Sequence, residues 1–332
     1  MPLDTPPMEA RLAAALPEGA WQFEPKWDGF RCLAFKDGEE VELRAKSGKS
    51  LGRFFPEIAE RLRAVEARRF VVDGELVIET DGHLSFEALQ MRLHPAESRI
   101  RRLSAETPAH LIVFDLLLAP DGTRLIDAPL TRRRAALEEF AAASGLAISP
   151  ATADRTVAER WLREAERGAI DGVVAKPLDG PYAPGERAMV KVKPHRTADC
   201  VVGGFRYRGA GREVGSLLLG LYDRAGRLNH VGFTATIADA ERPRLTRRLE
   251  SLRQPPGFTG DAPGGPSRWS TERSGQWEPL RPELVVEVRF DHVTGGRFRH
   301  GTRLVRWRPD KAPAQCTCEQ IEPPEPVMPP AP

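Results

Sequence analysis

Lys26-Trp27-Asp28-Gly29-Phe30-Arg31 brings an amine, a carboxylate, a glycine and a guanidinium together in one short run. A lysine amine can attack the α-phosphorus of a nucleoside triphosphate and leave a phosphoramidate. It can do so only if desolvation or nearby cations lower its pKa enough to keep a fraction of it neutral. Gly29 would give the backbone room to bring Lys26 close to a phosphate, and Arg31 offers a forked donor to phosphate or ribose oxygens.

The flanking pattern says what must hold this run. Phe30 to Phe35 and Val41 to Leu43 are β-prone stretches around Lys36-Asp37-Gly38-Glu39, where Asp-Gly is a strong hairpin signal, so Lys26 lies just before a hairpin strand. From Pro56 the pattern turns helical, with Ile58, Leu62 and Val65 on one face, followed by strands at Phe70 to Ile78 and Leu111 to Leu118. Helices are predicted over 131–143 and 156–167, and strands over 170–176 and 187–193. After Pro194 come short strands at 200–207, 216–222, 230–237, 284–290 and 302–307 around a helix near 239–252, the texture of a small β-barrel. Residues 255–279, rich in Gly, Pro and Ser, read as a long surface loop, and 312–332, ending EPPEPVMPPAP, as a disordered tail.

The bulk properties frame these elements. A chain of 332 residues is too long for one compact core and suits two domains. No apolar run approaches the roughly 18 residues of a membrane helix, so no membrane partner is expected. The first residues lack a secretory pattern, so the expected home is the cytoplasm. Cys32, Cys200, Cys316 and Cys318 are too few and scattered for a disulfide framework. Residues 196–311 hold 21 Lys plus Arg against 13 Asp plus Glu, whereas 1–195 hold 28 against 31. The basic excess in the second half suits a phosphate-backbone partner.

The pattern K-x-D-G-x-R resembles the nucleotidyl-lysine motif of the covalent nucleotidyltransferases, which include DNA ligases, RNA ligases and mRNA capping enzymes. Further segments resemble that superfamily's motifs in order. In Asp73-Gly74-Glu75 the resemblance implies an acid, Glu75, for ribose or metal. Phe114 of Phe114-Asp115-Leu116 would stack on adenine. In Asp171-Gly172-Val173-Val174-Ala175-Lys176 the acid would bind metal, with Asp in place of the commoner Glu, and Lys176 would cradle the nucleotide. Lys191-Val192-Lys193 resembles the Lys-x-Lys motif, whose amines share a strand face, neutralise the α-phosphate and depress the pKa of Lys26. Arg308 and Lys311 of Arg308-Pro309-Asp310-Lys311 would reach the β and γ phosphates. Glu24 would read adenine and favour ATP over GTP. Where the family commonly has Ser-Arg, this chain has Ala45-Lys46-Ser47, so Lys46 keeps a charge but loses the bidentate fork.

The wording EPKWDGFR, RTADCVVGGF, SLLLGLY and RPELVVEVRFDHVTGGRFRHGTRLVRWRPDK is similar to stand-alone bacterial LigC-type DNA ligases. That resemblance implies an α+β fold with an ATP-grasp-like adenylating nucleotidyltransferase domain over 1–195, an OB-fold β-barrel domain over 196–311 and a hinge near 193–197. The short lead before Lys26 leaves no room for a further N-terminal DNA-binding domain. It implies a monomer with ATP and Mg²⁺ or Mn²⁺ as cofactors, AMP carried covalently on Lys26, and metal held by Glu75 and Asp171. The implied partners are nicked duplex DNA and repair proteins. An RNA ligase or capping-type guanylyltransferase shares the motif and the two-domain plan, and Glu24 and the barrel wording argue against it. A catalytically silent nucleic-acid-binding scaffold is the other alternative, opposed by Lys26, Glu75, Lys176, Lys191 and Lys193 occurring together.

Overall fold

A computed structural model describes residues 2–166, 170–194, 196–209, 211–264 and 276–322. The chain divides into one compact unit up to Pro194 and another from His195 to Pro323. The principal strands of the first unit are β1 (Ala10–Ala13), β2 (Trp21–Pro25), β3 (Phe30–Asp37), β4 (Glu40–Ala45), β5 (Arg69–Val77), β6 (His110–Leu118), β7 (Ala147–Ile148), β8 (Val173–Pro177) and β9 (Met189–Val192). Its helices are α1 (Pro56–Arg63), α2 (Phe86–Arg92), α3 (Glu97–Glu106), α4 (Leu130–Ser144) and α5 (Arg155–Glu166). The strands form two sheets, of order β1-β9-β8-β2 and β4-β3-β5-β6-β7.

Strand β5 shows why these residues form such a sheet. Its sequence RFVVDGELV carries apolar residues on both faces because both faces are covered. Phe70, Val72 and Leu76 pack with Ile58 and Leu62 of α1 and Leu137 and Phe140 of α4. Val71, on the opposite face, packs with Leu33, Phe35 and Tyr182. Asp73 shares the face of Val71 and is fully buried, so its charge requires partners. Helix α4 is tied down beside it: buried Arg133 donates to Asp115 at 2.8 and 3.1 Å and to the carbonyls of Ala128 and Gly180. That fork fixes the residue next to Phe114.

The second unit is built on β10 (Arg196–Tyr207), with β11 (Val214–Tyr222), β12 (Leu228–Thr234), β13 (Val285–Phe290) and β14 (Arg303–Trp307) in the order β12-β11-β10-β13-β14. An isolated parallel bridge, Thr234 to Thr302, joins the end of β12 to the start of β14. Helix α6 (Arg242–Glu250) buries Leu245 and Leu249 in the core of this unit.

Several expectations change. Strands β1 and β2 and helices α2 and α3 were not foreseen. The strand expected from Ile170 begins at Val173, because Gly172 adopts φ +139°. Residues 312–322 are not a tail. Cys316 and Ile321 are buried in the core of the second unit, and Tyr222 N–H donates to Cys316 O at 2.8 Å. Two buried anchors suffice to dock this short segment; the Pro-rich residues 323–332 lie outside the described residues. Of the expected loop at 255–279, residues 265–275 lie outside the described residues, and Phe258 is buried in the same core. No helix among the described residues is long and apolar enough to cross a membrane.

If the 312–322 segment is integral to this unit, shortening Ile321 to Ala should cost about 2 kcal/mol or more, as for other buried isoleucines. The urea midpoint of unfolding reads this directly. An unchanged midpoint would mean that the segment contributes nothing to the core.

Candidate active site

Lys26 is the residue after β2, and its backbone is gripped from both sides. Its N–H donates to Gly172 O at 2.8 Å, and Asp171 N–H donates to its carbonyl at 2.7 Å, which extends the β2–β8 ladder past Pro25. Gly172 is required here: φ is +139°, and a Cβ would overlap the Val192 carbonyl of β9. Trp27, buried in the cluster that contains Phe23, Ile112 and Ala158, donates through its indole to Ser149 Oγ at 3.0 Å. Gly29 has a different task from the one expected of it. A Cβ there would strike the Leu76 carbonyl and the Glu75 side chain, so it lets β3 lie against β5 rather than freeing Lys26 to move.

Strand register aims the remaining groups. Val174 pairs with Glu24 on one side and Lys191 on the other, so Glu24, Val174, Lys176 and Lys191 face one way. In the other sheet Arg31 is directly opposite Glu75. These two surfaces line a cleft, together with Met8, Lys26, Trp27, Lys46 and Phe114.

Inside the cleft the polar groups form three linked sets. Glu24 Oε1 accepts from Lys176 Nζ at 2.8 Å and from Gln22 Nε2 at 2.7 Å. The Lys176 ammonium also donates to Phe114 O at 3.2 Å and lies 4.6 Å from the Phe114 ring centre, as does the Arg31 guanidinium. Arg31 forks onto both oxygens of Asp73 at 2.5 Å, and Tyr182 donates to Asp73 Oδ2 at 2.6 Å while accepting from Met8 N–H. Buried Asp73 is thereby satisfied, and Arg31 is held in place by it.

The third set surrounds the nucleophile candidate. Lys26 Nζ lies 2.5 Å from Asp171 Oδ2, and Lys193 Nζ lies 3.0 Å from Asp171 Oδ1. Burial works against the charge on Lys26, but Asp171, Glu75 and Asp28 together outweigh it, and the amine's pKa is raised. This corrects the expectation of a lysine depressed by its neighbours: in this state the Asp171 ion pair dominates. The depressed lysine is instead Lys191, lowered by burial first and then by Lys26, Lys193 and Lys46. Glu75 is pushed up to about 7 by burial, against the pull of Lys26 and Arg31 and with help from Asp28 and Asp73. A carboxylate of Asp28 also comes within 4.8 Å of Asp171. A lysine among three carboxylates, one with a raised pKa, is a set that a hard divalent cation fits.

Lys46 is mostly exposed and pairs with Glu9 at 3.0 Å. Arg308 and Lys311 belong to the second unit, where both close on Asp199, at 2.9 Å each. Met8, Trp27, Asp73 and Tyr182 were missed from the sequence. Asp73 beside the flagged Glu75 was the one with a usable signal, since a carboxylate in an apolar strand must be paired.

A family model described as the ATP dependent DNA ligase domain matches residues 7–193, and one for the ATP dependent DNA ligase C terminal region matches 210–311. DNA ligase C1 of Mycolicibacterium smegmatis is 44% identical over 96% of this chain and 95% of its own. The chain belongs to the ATP-dependent DNA ligases. DNA ligase C of Mycobacterium tuberculosis is likewise 44% identical, over 96% of this ligase and 94% of that one, which places this ligase with the C type. The solved structure of a mycobacterial DNA ligase D complexed with ATP and MES is 29% identical, with a TM-score of 0.51 over 95% of this chain and 98% of that chain.

The raised carboxylate gives the ligase a pH signature. Glu75 has a folded pKa near 7 against 4.5 for the ordinary carboxyl, so its contribution to stability is full below 4.5 and is lost as pH rises through 7. Replacing Glu75 by Gln should therefore stabilise the protein at pH 8 relative to pH 5, by on the order of 2 kcal/mol. Denaturant titrations of both proteins at the two pH values measure this difference. A difference that does not change with pH would rule out the raised pKa.

Proposed function

We propose that this ligase seals 5′-phosphate/3′-hydroxyl nicks in duplex DNA through a lysyl-AMP intermediate on Lys26. The observation that carries the reading is a backbone-clamped, half-buried lysine set among carboxylates and cations in a cleft that Glu24, Arg31 and Phe114 also line. Lys26 Nζ, once deprotonated, attacks the α-phosphorus; the bond to pyrophosphate breaks and pyrophosphate leaves. AMP then passes to the 5′-phosphate of the nick, returning the amine, and the 3′-hydroxyl displaces AMP to close the strand.

Each residue has a part in this. Lys26 must lose its proton, and the chain has the means: Asp171 already receives Lys193, and Lys191 and Lys193 disfavour a charged amine once the Lys26–Asp171 bond breaks. Lys191 and Lys193 then face the α-phosphate. Glu24 accepts from the adenine amine, Lys176 orients Glu24, and the base stacks on Phe114 in place of a cation. Arg31, braced by Asp73, meets ribose or phosphate oxygens, with Lys46 at the cleft rim. Glu75 and Asp171, with Asp28 beside them, would hold Mg²⁺ or Mn²⁺, which when bound offsets charge on the phosphates.

In this reading the adenylating domain runs to about residue 195, followed by an OB-fold domain. Supporting the OB-fold is the strand order β12-β11-β10-β13-β14 with a parallel bridge between its two end strands and a helix between β12 and β13. Arg308 and Lys311 of that domain engage the β and γ phosphates during the first step, and its arginine excess meets the DNA backbone. A role in repair is part of the same proposal.

The test is α-³²P-ATP with a divalent metal, followed by a chase with nicked duplex. Wild type should take up label and lose it as the nick closes, and Lys26→Ala should take up none. Labelled Lys26→Ala, or wild type labelled by GTP and not by ATP, would sink the reading.

A further inference from the structure

Asp199 on β10 holds the two cations assigned to pyrophosphate. Its Oδ1 and Oδ2 accept from Arg308 Nη1 at 2.9 and 3.1 Å, and Oδ2 accepts from Lys311 Nζ at 2.9 Å. Asp310 takes the other edge of the guanidinium, through Nε and Nη2. Asp199 is itself buried and clipped by its own backbone: its N–H donates to Gln320 Oε1 at 3.0 Å, and Gln320 Nε2 donates to its carbonyl at 3.1 Å. Gln320 sits in the docked segment anchored by Cys316 and Ile321. Both Asp199 and Gln320 fall outside the matched stretches 7–193 and 210–311.

We infer that Asp199, fixed by Gln320, is the positioning residue for Arg308 and Lys311, holding both cations at a set spacing so that they meet the leaving pyrophosphate as one preorganised pair. The inference rests on the reading of Arg308 and Lys311 as pyrophosphate ligands. Two long cationic side chains without a shared counter-ion repel each other and sample many rotamers, and ordering them would then fall on the transition state. A carboxylate between them removes both penalties in advance. The 312–322 segment thereby acts on the chemistry of the first step without touching the nucleotide.

The experiment separates the steps in the full-length protein. Enzyme adenylation from ATP and its reversal by pyrophosphate report on Arg308 and Lys311, whereas closure of a nick carrying a preformed 5′-adenylate needs no pyrophosphate ligand. Asp199→Asn should slow adenylation and its reversal by about tenfold to a hundredfold and leave closure within about twofold. Asp199→Glu should recover most of the rate, and Gln320→Ala should show a smaller loss in the same two steps. Adenylation at or above the wild-type rate in Asp199→Asn overturns the inference, since the aspartate would then merely compete with phosphate. So does an equal fall in all steps with a lowered thermal midpoint, the mark of a structural role. Arg308→Ala is the control: if it adenylates normally, the reading of Arg308 fails and the inference with it, whereas a defective Arg308→Ala beside a normal Asp199→Asn sinks the inference alone.

Discussion

The ion pair between Lys26 and Asp171 is the constraint on which the rest of the first unit depends. A lysine that is to attack phosphorus must be out of bulk water, yet a buried ammonium is costly unless it is paired. Asp171 meets that need at 2.5 Å, but a carboxylate that simply neutralised Lys26 would leave it protonated and inert. The surrounding charges make the pair breakable: Lys193 already shares Asp171, and Lys191 sits close enough for its own pKa to fall. The amine is stable while idle, and its protonated form loses support once Asp171 turns away.

Such a balance requires placement to a few tenths of an ångström, and the sheets supply it. The backbone clamp from Asp171 and Gly172 sets Lys26 relative to β8, and the same strand carries Lys176 to Glu24. Direct pairing of Arg31 with Glu75 sets the opposing wall, with Asp73 and Tyr182 behind the guanidinium. Glu24, Arg31, Glu75, Phe114, Lys176 and Lys191 stand on strands packed into apolar clusters, and Lys26, Asp171 and Lys193 directly flank such strands. Motion of any one of them would cost core packing.

What could be read in the sequence follows from this division of labour. Lys26, Glu75, Asp171, Lys176, Lys191 and Lys193 were named from motifs that resemble those of the covalent nucleotidyltransferases; Lys26, Glu75, Lys176 and Lys191 line one cleft, and Asp171 and Lys193 form one ion-pair set with Lys26. Tyr182 and Met8 were not named, because they act by closing a hydrogen-bond network across 174 residues of chain, and nothing local marks such a partnership. The role of Gly29 was misread because the same residue type serves a mobile loop and a tight strand crossing, and only the Leu76 carbonyl tells them apart. Strands β1 and β2 are only four and five residues long, and the docked 312–322 segment has no regular apolar period, so their burial is visible only once the surfaces they cover exist. The sign of the Lys26 shift was out of reach for the same reason: spacing identifies which charges are neighbours but not which is nearest.

The two units share a physical device. In the first, Lys26 and Lys193 rest on Asp171; in the second, Arg308 and Lys311 rest on Asp199. In each case one aspartate accepts from two cations. Pairing of this kind keeps like charges together without a bound nucleotide, and it holds the two cations at a set spacing before any phosphate arrives. Cations held ready in this way need little further ordering on the phosphates of the proposed reaction, because the fold has already met that cost.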